Sequence, residues 1–252
     1  MATFLRELYE VLSCFSTATH ASMCDDLLRQ LAATGGDNLA AYFAVALQAN
    51  QSFSQIEQPF IPDTRSAKTG TNPVAGALAK ASPLTVTTPS AAPYEFTFLH
   101  REVPHLRAAT RAEQRDKGWI DYVARTGDSP ILGEIKWKGD KNPFYAFVQL
   151  LTYLSEIATP AQIERSVRHD LFGPDLPPVP VFDLHIVLAN FNDRGEKGKL
   201  IGPTQQLASA FKKRLLSDHP ATATCLGQIL CITAKIDEGS QNIKELKCEW
   251  VV

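Results

Sequence analysis

The clearest signal along the chain is a change in hydrophobic period. Near the N-terminus apolar residues recur at helical spacing, with Leu5, Leu8, Leu12 and Phe15 on one stripe, which predicts helices over 3–15, 24–34 and 37–50. Gly35 and Gly36 end the second of these, and Asp37 is placed to cap the third. From Pro59 to Pro93 the period is lost, and six of the chain's 16 prolines stand among Thr, Ser, Ala and Gly. That segment reads as a loop or linker, with a boundary near residue 93.

Beyond it the period becomes two. Tyr94–Leu99 opens a sheet, and residues 107–116 read as a connecting loop or a short helix. WIDYVAR (119–125) and ILGEIKW (131–137) are β-prone runs joined by the turn formers TGDSP, hence a hairpin. NPFYAFVQLLTYLSEIA (142–158) returns to helical spacing behind an Asn-Pro start signal. GPDLPPVP is a Pro-rich connection. VFDLHIVLANF (181–191) is a continuous apolar strand expected to be covered on both faces, with His185 as a satisfied core histidine. Thr204–Ser217 follows as an amphipathic helix, LGQILCITAKI as a buried strand, and IKELKCEWVV as an edge strand. The order predicts an α/β domain over 94–252, built on a mixed sheet flanked by helices, behind an N-terminal helical region suited to packing or to a protein partner.

The hairpin carries the chemistry. If Arg125 pairs with Pro130, Asp121 falls opposite Glu134, and Lys136 shares the face of Glu134. Two carboxylates paired across strands, with Cβ atoms roughly 5 Å apart, repel unless a cation lies between them. Asp121, Glu134 and the Ile135 carbonyl offer hard oxygen donors of the kind Mg²⁺ or Mn²⁺ prefers, and Lys136 supplies a cation to orient an attacking water. Gln149 and Tyr153 sit one turn apart on the next helix, placed to hold a nucleotide or to steady the catalytic strand.

In order, Gly118 and Asp121, then Glu134 and Lys136, then Gln149 and Tyr153 give G-x-x-D, E-x-K and Q-x-x-x-Y. The set resembles the PD-(D/E)xK nuclease superfamily, in its RecB-like branch. The resemblance implies a restriction-endonuclease-like sheet, Mg²⁺ or Mn²⁺ dependence, and DNA cleavage in repair, recombination or defence. It assigns Asp121, Glu134 and Lys136 to the core roles and Gln149 with Tyr153 to the branch-specific pair. Ile120 stands where the superfamily name places Pro. A further upstream acid or His is implied, for which Glu57, Glu95, Glu102, His100 and His105 are candidates.

The net charge of −2 conceals a segregation: residues 101–141 and 191–252 are each net basic, the rest net acidic. Arg101, Arg107, Arg111, Arg115, Lys138 and Lys141, with Lys212, Lys213 and Arg214, are candidates for a groove that tracks phosphates without reading bases. Five cysteines without C-x-x-C spacing predict reduced, buried thiols rather than the iron–sulfur cluster some RecB-like relatives hold. The longest apolar run, Leu39–Leu47, is too short to span a bilayer, and the acidic start is unlike a signal peptide, so a cytoplasmic protein without membrane contact is expected.

Overall fold

A computed structural model describes residues 4–13, 26–51, 72–104, 119–137, 142–191, 200–237 and 239–252. Helix α1 (Phe4–Ser13), α2 (26–33) and α3 (Asp37–Asn50) appear where the apolar stripes predict them. Gly35 and Gly36 take left-handed φ values of 60° and 80°, and Gly36 N–H reaches the Leu31 carbonyl at 3.3 Å. This glycine stop ends α2. Gly36 also occupies the cap position of α3, so Asp37 is the first helical residue rather than the cap. A Cβ on Gly36 would lie 2.6 Å from the Phe211 backbone nitrogen, so glycine lets this turn approach a later helix closely.

Within the stretch read as a loop, the chain forms helix α4 (Asn72–Ala81) and strand β1 (Leu84–Thr87). Val74, Ala75, Ala77 and Leu78 of α4 are buried, and β1 alternates buried with exposed residues, so both elements are held by one apolar face. The sheet therefore begins at β1. It continues through β2 (Pro93–Pro104), β3 (Trp119–Thr126), β4 (Ser129–Trp137), β5 (Phe182–Ala189), β6 (Leu226–Asp237) and β7 (Asn242–Val251), in that spatial order. The β4–β5 and β5–β6 pairs are parallel and the remaining pairs antiparallel. The sheet curls until β1 and β7 come near each other, short of closing a barrel.

Helix α5 (Pro143–Ile157) and short helix α6 (Pro160–Arg168) cross from β4 to β5, and α7 (Ile201–Asp218) with the single turn α8 (Pro220–Ala223) joins β5 to β6. Alternate side chains divide the sheet between two cores. Leu132, Leu184, Ile186 and Leu188 join α1, α3, α5 and α7 in the larger core. Ile131, Ile135, Val187 and Leu230 join α4 in the smaller one. Every residue of β5 is buried, as a strand covered on both faces requires. The N-terminal helices are thus built into the larger core, with Phe43 meeting Phe211 of α7 edge to face at 5.8 Å. Among the described residues, no helix is long and apolar enough to cross a membrane.

Candidate functional site

The β3–β4 hairpin adopts the register expected of it, with Arg125 opposite Pro130 and Tyr122 opposite Gly133. Beyond that pair a side chain takes over the ladder: Asp121 Oδ2 accepts the Ile135 N–H at 2.6 Å. A strand residue directs its N–H and C=O toward the same neighbour, so the Ile135 carbonyl faces the β3 side as well. Gly133 permits the hairpin to pack, because a Cβ there would lie 2.0 Å from the Tyr122 ring.

Glu134 and Lys136 point to the α5 side. The Lys136 ammonium donates to Glu134 Oε1 at 2.9 Å and to Gln149 Oε1, and lies 4.3 Å from the centre of the Tyr145 ring. Gln149 Nε2 in turn donates to the Tyr153 hydroxyl at 3.2 Å. The helix delivers this stripe because Tyr145, Gln149 and Tyr153 recur every four residues, and because its first turn is fixed: Asn142 Oδ1 accepts the Tyr145 N–H at 3.1 Å with Pro143 starting the helix. Asp121 is 8% exposed, Glu134 and Lys136 4%, Gln149 6% and Tyr153 1%. In so dry a setting either partner of the ion pair would be costly to leave alone.

Of the two roles open to Gln149 and Tyr153, their placement serves the strand: the amide clasps Lys136 and the phenol backs the amide. Burial, and secondarily the Glu134 carboxylate, hold the Tyr153 phenol well above its ordinary pKa, so it remains a neutral hydroxyl. Burial followed by Asp121 does the same to Tyr122.

Two aromatic residues of this site escape the motif. Tyr145 belongs to the stripe of Gln149 and Tyr153, and the same four-residue spacing identifies it. Tyr9 of α1 stacks on Tyr145 at 6.0 Å and meets Tyr153 edge-on at 6.1 Å, a long-range contact with no local signal.

The remaining candidates scatter. Glu102 lies between the Arg101–Tyr122 and Val103–Ile120 pairs, which sets it across from Asp121 on β2, at a left-handed φ of 49°. His100 pairs with Val123 nearby. Glu95 is exposed and pairs with Thr85 at the other end of β2, away from Asp121. Arg101 reaches α4, with Nη1 3.9 Å from the Cβ position of Gly76, so it lies on the wrong face to line a groove with Lys136. Lys212, Lys213 and Arg214 ride on α7, where Lys212 is drawn below its ordinary pKa by burial while Asp183 opposes the shift. Glu57, His105, Arg107, Arg111, Arg115, Gly118, Lys138 and Lys141 lie outside the described residues. Among the described residues, no three His, Cys, Asp or Glu side chains gather as a metal-binding group. Cys225, Cys231 and Cys248 are buried free thiols.

Across the sheet His185 is fully buried between two phenols, 3.0 Å from the Tyr122 hydroxyl and 3.1 Å from that of Tyr94. Tyr94 donates to Asp183 Oδ2 at 2.7 Å, and Asp183 Oδ1 accepts the Gln228 N–H at 2.7 Å. This network ties β2, β3, β5 and β6 together and is satisfied within itself.

Compared with protein-family profiles, curated proteins and solved structures, the chain matches none.

Proposed function

We propose that this protein is a Mg²⁺- or Mn²⁺-dependent nuclease hydrolysing phosphodiester bonds in DNA, on a restriction-endonuclease-like fold of the RecB-like type, in repair, recombination or defence. One observation carries the reading. The Asp121 carboxylate accepts the Ile135 N–H, and the residues on either side of Ile135, Glu134 and Lys136, form an ion pair with each other.

The donor set suits a hard divalent ion: two carboxylates and the carbonyl of Ile135 are oxygen ligands, and neither histidine nor thiolate stands among them. Asp121, Glu134 and Ile135 would hold the ion, which when bound acidifies a coordinated water and offsets phosphate charge. The chain's own residues do the rest. Glu134 and Gln149 fix the Lys136 ammonium, which donates a hydrogen bond to the attacking water or to the phosphate oxygen gaining charge. Tyr145 and Tyr153 exclude bulk solvent behind it. A site at the C-terminal end of a parallel strand such as β4 also sits where α/β sheets commonly bind ligands.

A catalytically silent module, binding nucleic acid or protein within a larger assembly, is the second reading. It is favoured by the closure of the Lys136 ammonium on both Glu134 and Gln149. Digestion of circular and linear, single- and double-stranded DNA with Mg²⁺, Mn²⁺ or EDTA, beside Lys136→Ala, separates the two. The nuclease reading requires metal-dependent cleavage that the variant loses. Cutting of closed circles marks an endonuclease, and loss only from ends an exonuclease. DNA binding without hydrolysis supports the silent module, and cleavage confined to RNA overturns the choice of DNA.

A further inference from the structure

Helix α6 is turned inside out. Its sequence PAQIERSVR is amphipathic, yet the residues it buries are Gln162, Arg165 and Ser166, at 5%, 2% and 2% exposure. Ile163 is left partly exposed and Val167 is 48% exposed. Burying a guanidinium is expensive, and burial alone draws Arg165 down to about 10. The fold thus meets a desolvation cost on one face while leaving the apolar stripe of the same helix in water. Beside the stripe, Pro178 joins Pro160, Ile163 and Val167 around a shallow groove. Val167 is one of the seven exposed large hydrophobic side chains among the described residues, and Val179, 67% exposed, follows Pro178 in the chain. An apolar concentration of this kind marks an interaction surface.

We infer that a second copy of this chain covers it, with α6 packed against α6 in antiparallel fashion across a two-fold axis. The argument is self-complementarity. At about 100° per residue, Pro160, Ile163 and Val167 fall within roughly 60° of one another, and Glu164 and Arg168 line one flank of that stripe. In an antiparallel helix pair related by a two-fold axis, like flanks face each other, so Glu164 meets Arg168 of the second copy and the contact is made twice. The midpoint of Ile163 and Val167 and that of Glu164 and Arg168 differ by one residue, about 1.5 Å along the helix, so one axis serves the apolar and the ionic contacts together. Exposed ion pairs exchange partners at little cost, so contacts within one copy do not oppose the arrangement.

Sedimentation velocity of the full chain across a wide concentration range tests the inference. A monomer–dimer equilibrium is expected, which Val167→Glu shifts toward monomer by about tenfold or more in Kd. Glu164→Arg or Arg168→Glu alone sets like charges face to face and weakens the dimer, whereas Glu164→Arg with Arg168→Glu restores it. All three positions changed here, Glu164, Val167 and Arg168, are exposed on α6, and circular dichroism checks that each variant is folded. A chain that is monomeric throughout, a dimer indifferent to Val167→Glu, or a double exchange that fails to restore pairing would overturn it.

Discussion

The ammonium of Lys136 lies 2.9 Å from the carboxylate of Glu134, two residues earlier on the same strand, and both are 4% exposed. Residues two apart on a strand share a face, so the pair is fixed by the backbone and pressed into the site by α5. Removing either partner leaves a charge in a dry environment. Lys136→Ala is expected to lower stability by about 3 kcal/mol, and Glu134→Gln with Lys136→Met to recover much of that loss. Chemical denaturation of the three proteins reads this directly, and an unchanged midpoint in Lys136→Ala would refute it.

The hydroxyl of Tyr153 accepts from Gln149, and on the proposed nuclease reading it acts through that amide. Tyr153→Phe then costs about 1 kcal/mol of stability and reduces any cleavage rate less than tenfold, while Gln149→Leu reduces the rate further by removing one of the two acceptors that hold the ammonium. Parallel rate and stability measurements decide the point. A Tyr153→Phe defect as large as that of Lys136→Ala would move the phenol into direct contact with the reacting groups.

Gly133 is required by its neighbour and not by its own torsion. With a Cβ 2.0 Å from the Tyr122 ring, Gly133→Ala must displace that ring and break its hydrogen bond to His185, at about 3 kcal/mol or more. Combining Gly133→Ala with Tyr122→Ala should relieve the clash, so the double variant loses less than the sum of the two single losses. Strict additivity in thermal unfolding would contradict this account.

Acid should weaken the fold through His185. Burial lowers this group from its usual 6.5 to about 3, so between those values the unfolded chain takes up a proton that the folded chain refuses, and stability falls as pH falls. The contribution amounts to at most about 1.4 kcal/mol per pH unit. Asp183, raised by burial, works in the opposite sense. His185→Gln keeps a neutral hydrogen-bonding group between the phenols and should flatten the decline below pH 6.5. An identical pH profile in the variant would show that His185 does not set it.

Much of this arrangement is legible in the chain because local rules fix it. Alternation and the TGDSP turn determine the hairpin register, hence the approach of Asp121 to the Glu134 segment. The Asn142–Pro143 start and the four-residue stripe determine which side of α5 meets Lys136. The same Asn-Pro signal stands at Asn72–Pro73, yet the proline- and threonine-rich surroundings hide α4 and β1, and only packing onto the sheet reveals them. Tyr9 cannot be placed locally, since its role depends on α1 folding back onto a helix more than a hundred residues later. Arg101 faces α4 next to the register shift of β2 between Phe98 and His100, an irregularity of the kind that re-aims neighbouring side chains. Helix α6 has no counterpart in the sequence reading, and the fold buries its Arg165 while leaving Val167 exposed.

The central claim is that Asp121, which accepts the Ile135 N–H, and Glu134, the residue before Ile135, hold one divalent ion together. Titration with Mn²⁺ followed by electron paramagnetic resonance tests it most directly, comparing the native chain with Asp121→Asn and Glu134→Gln. The account predicts bound Mn²⁺ in the native protein and a loss of affinity of at least about tenfold in each variant. Mn²⁺ that fails to bind, or that binds both variants as tightly as the native chain, would contradict it.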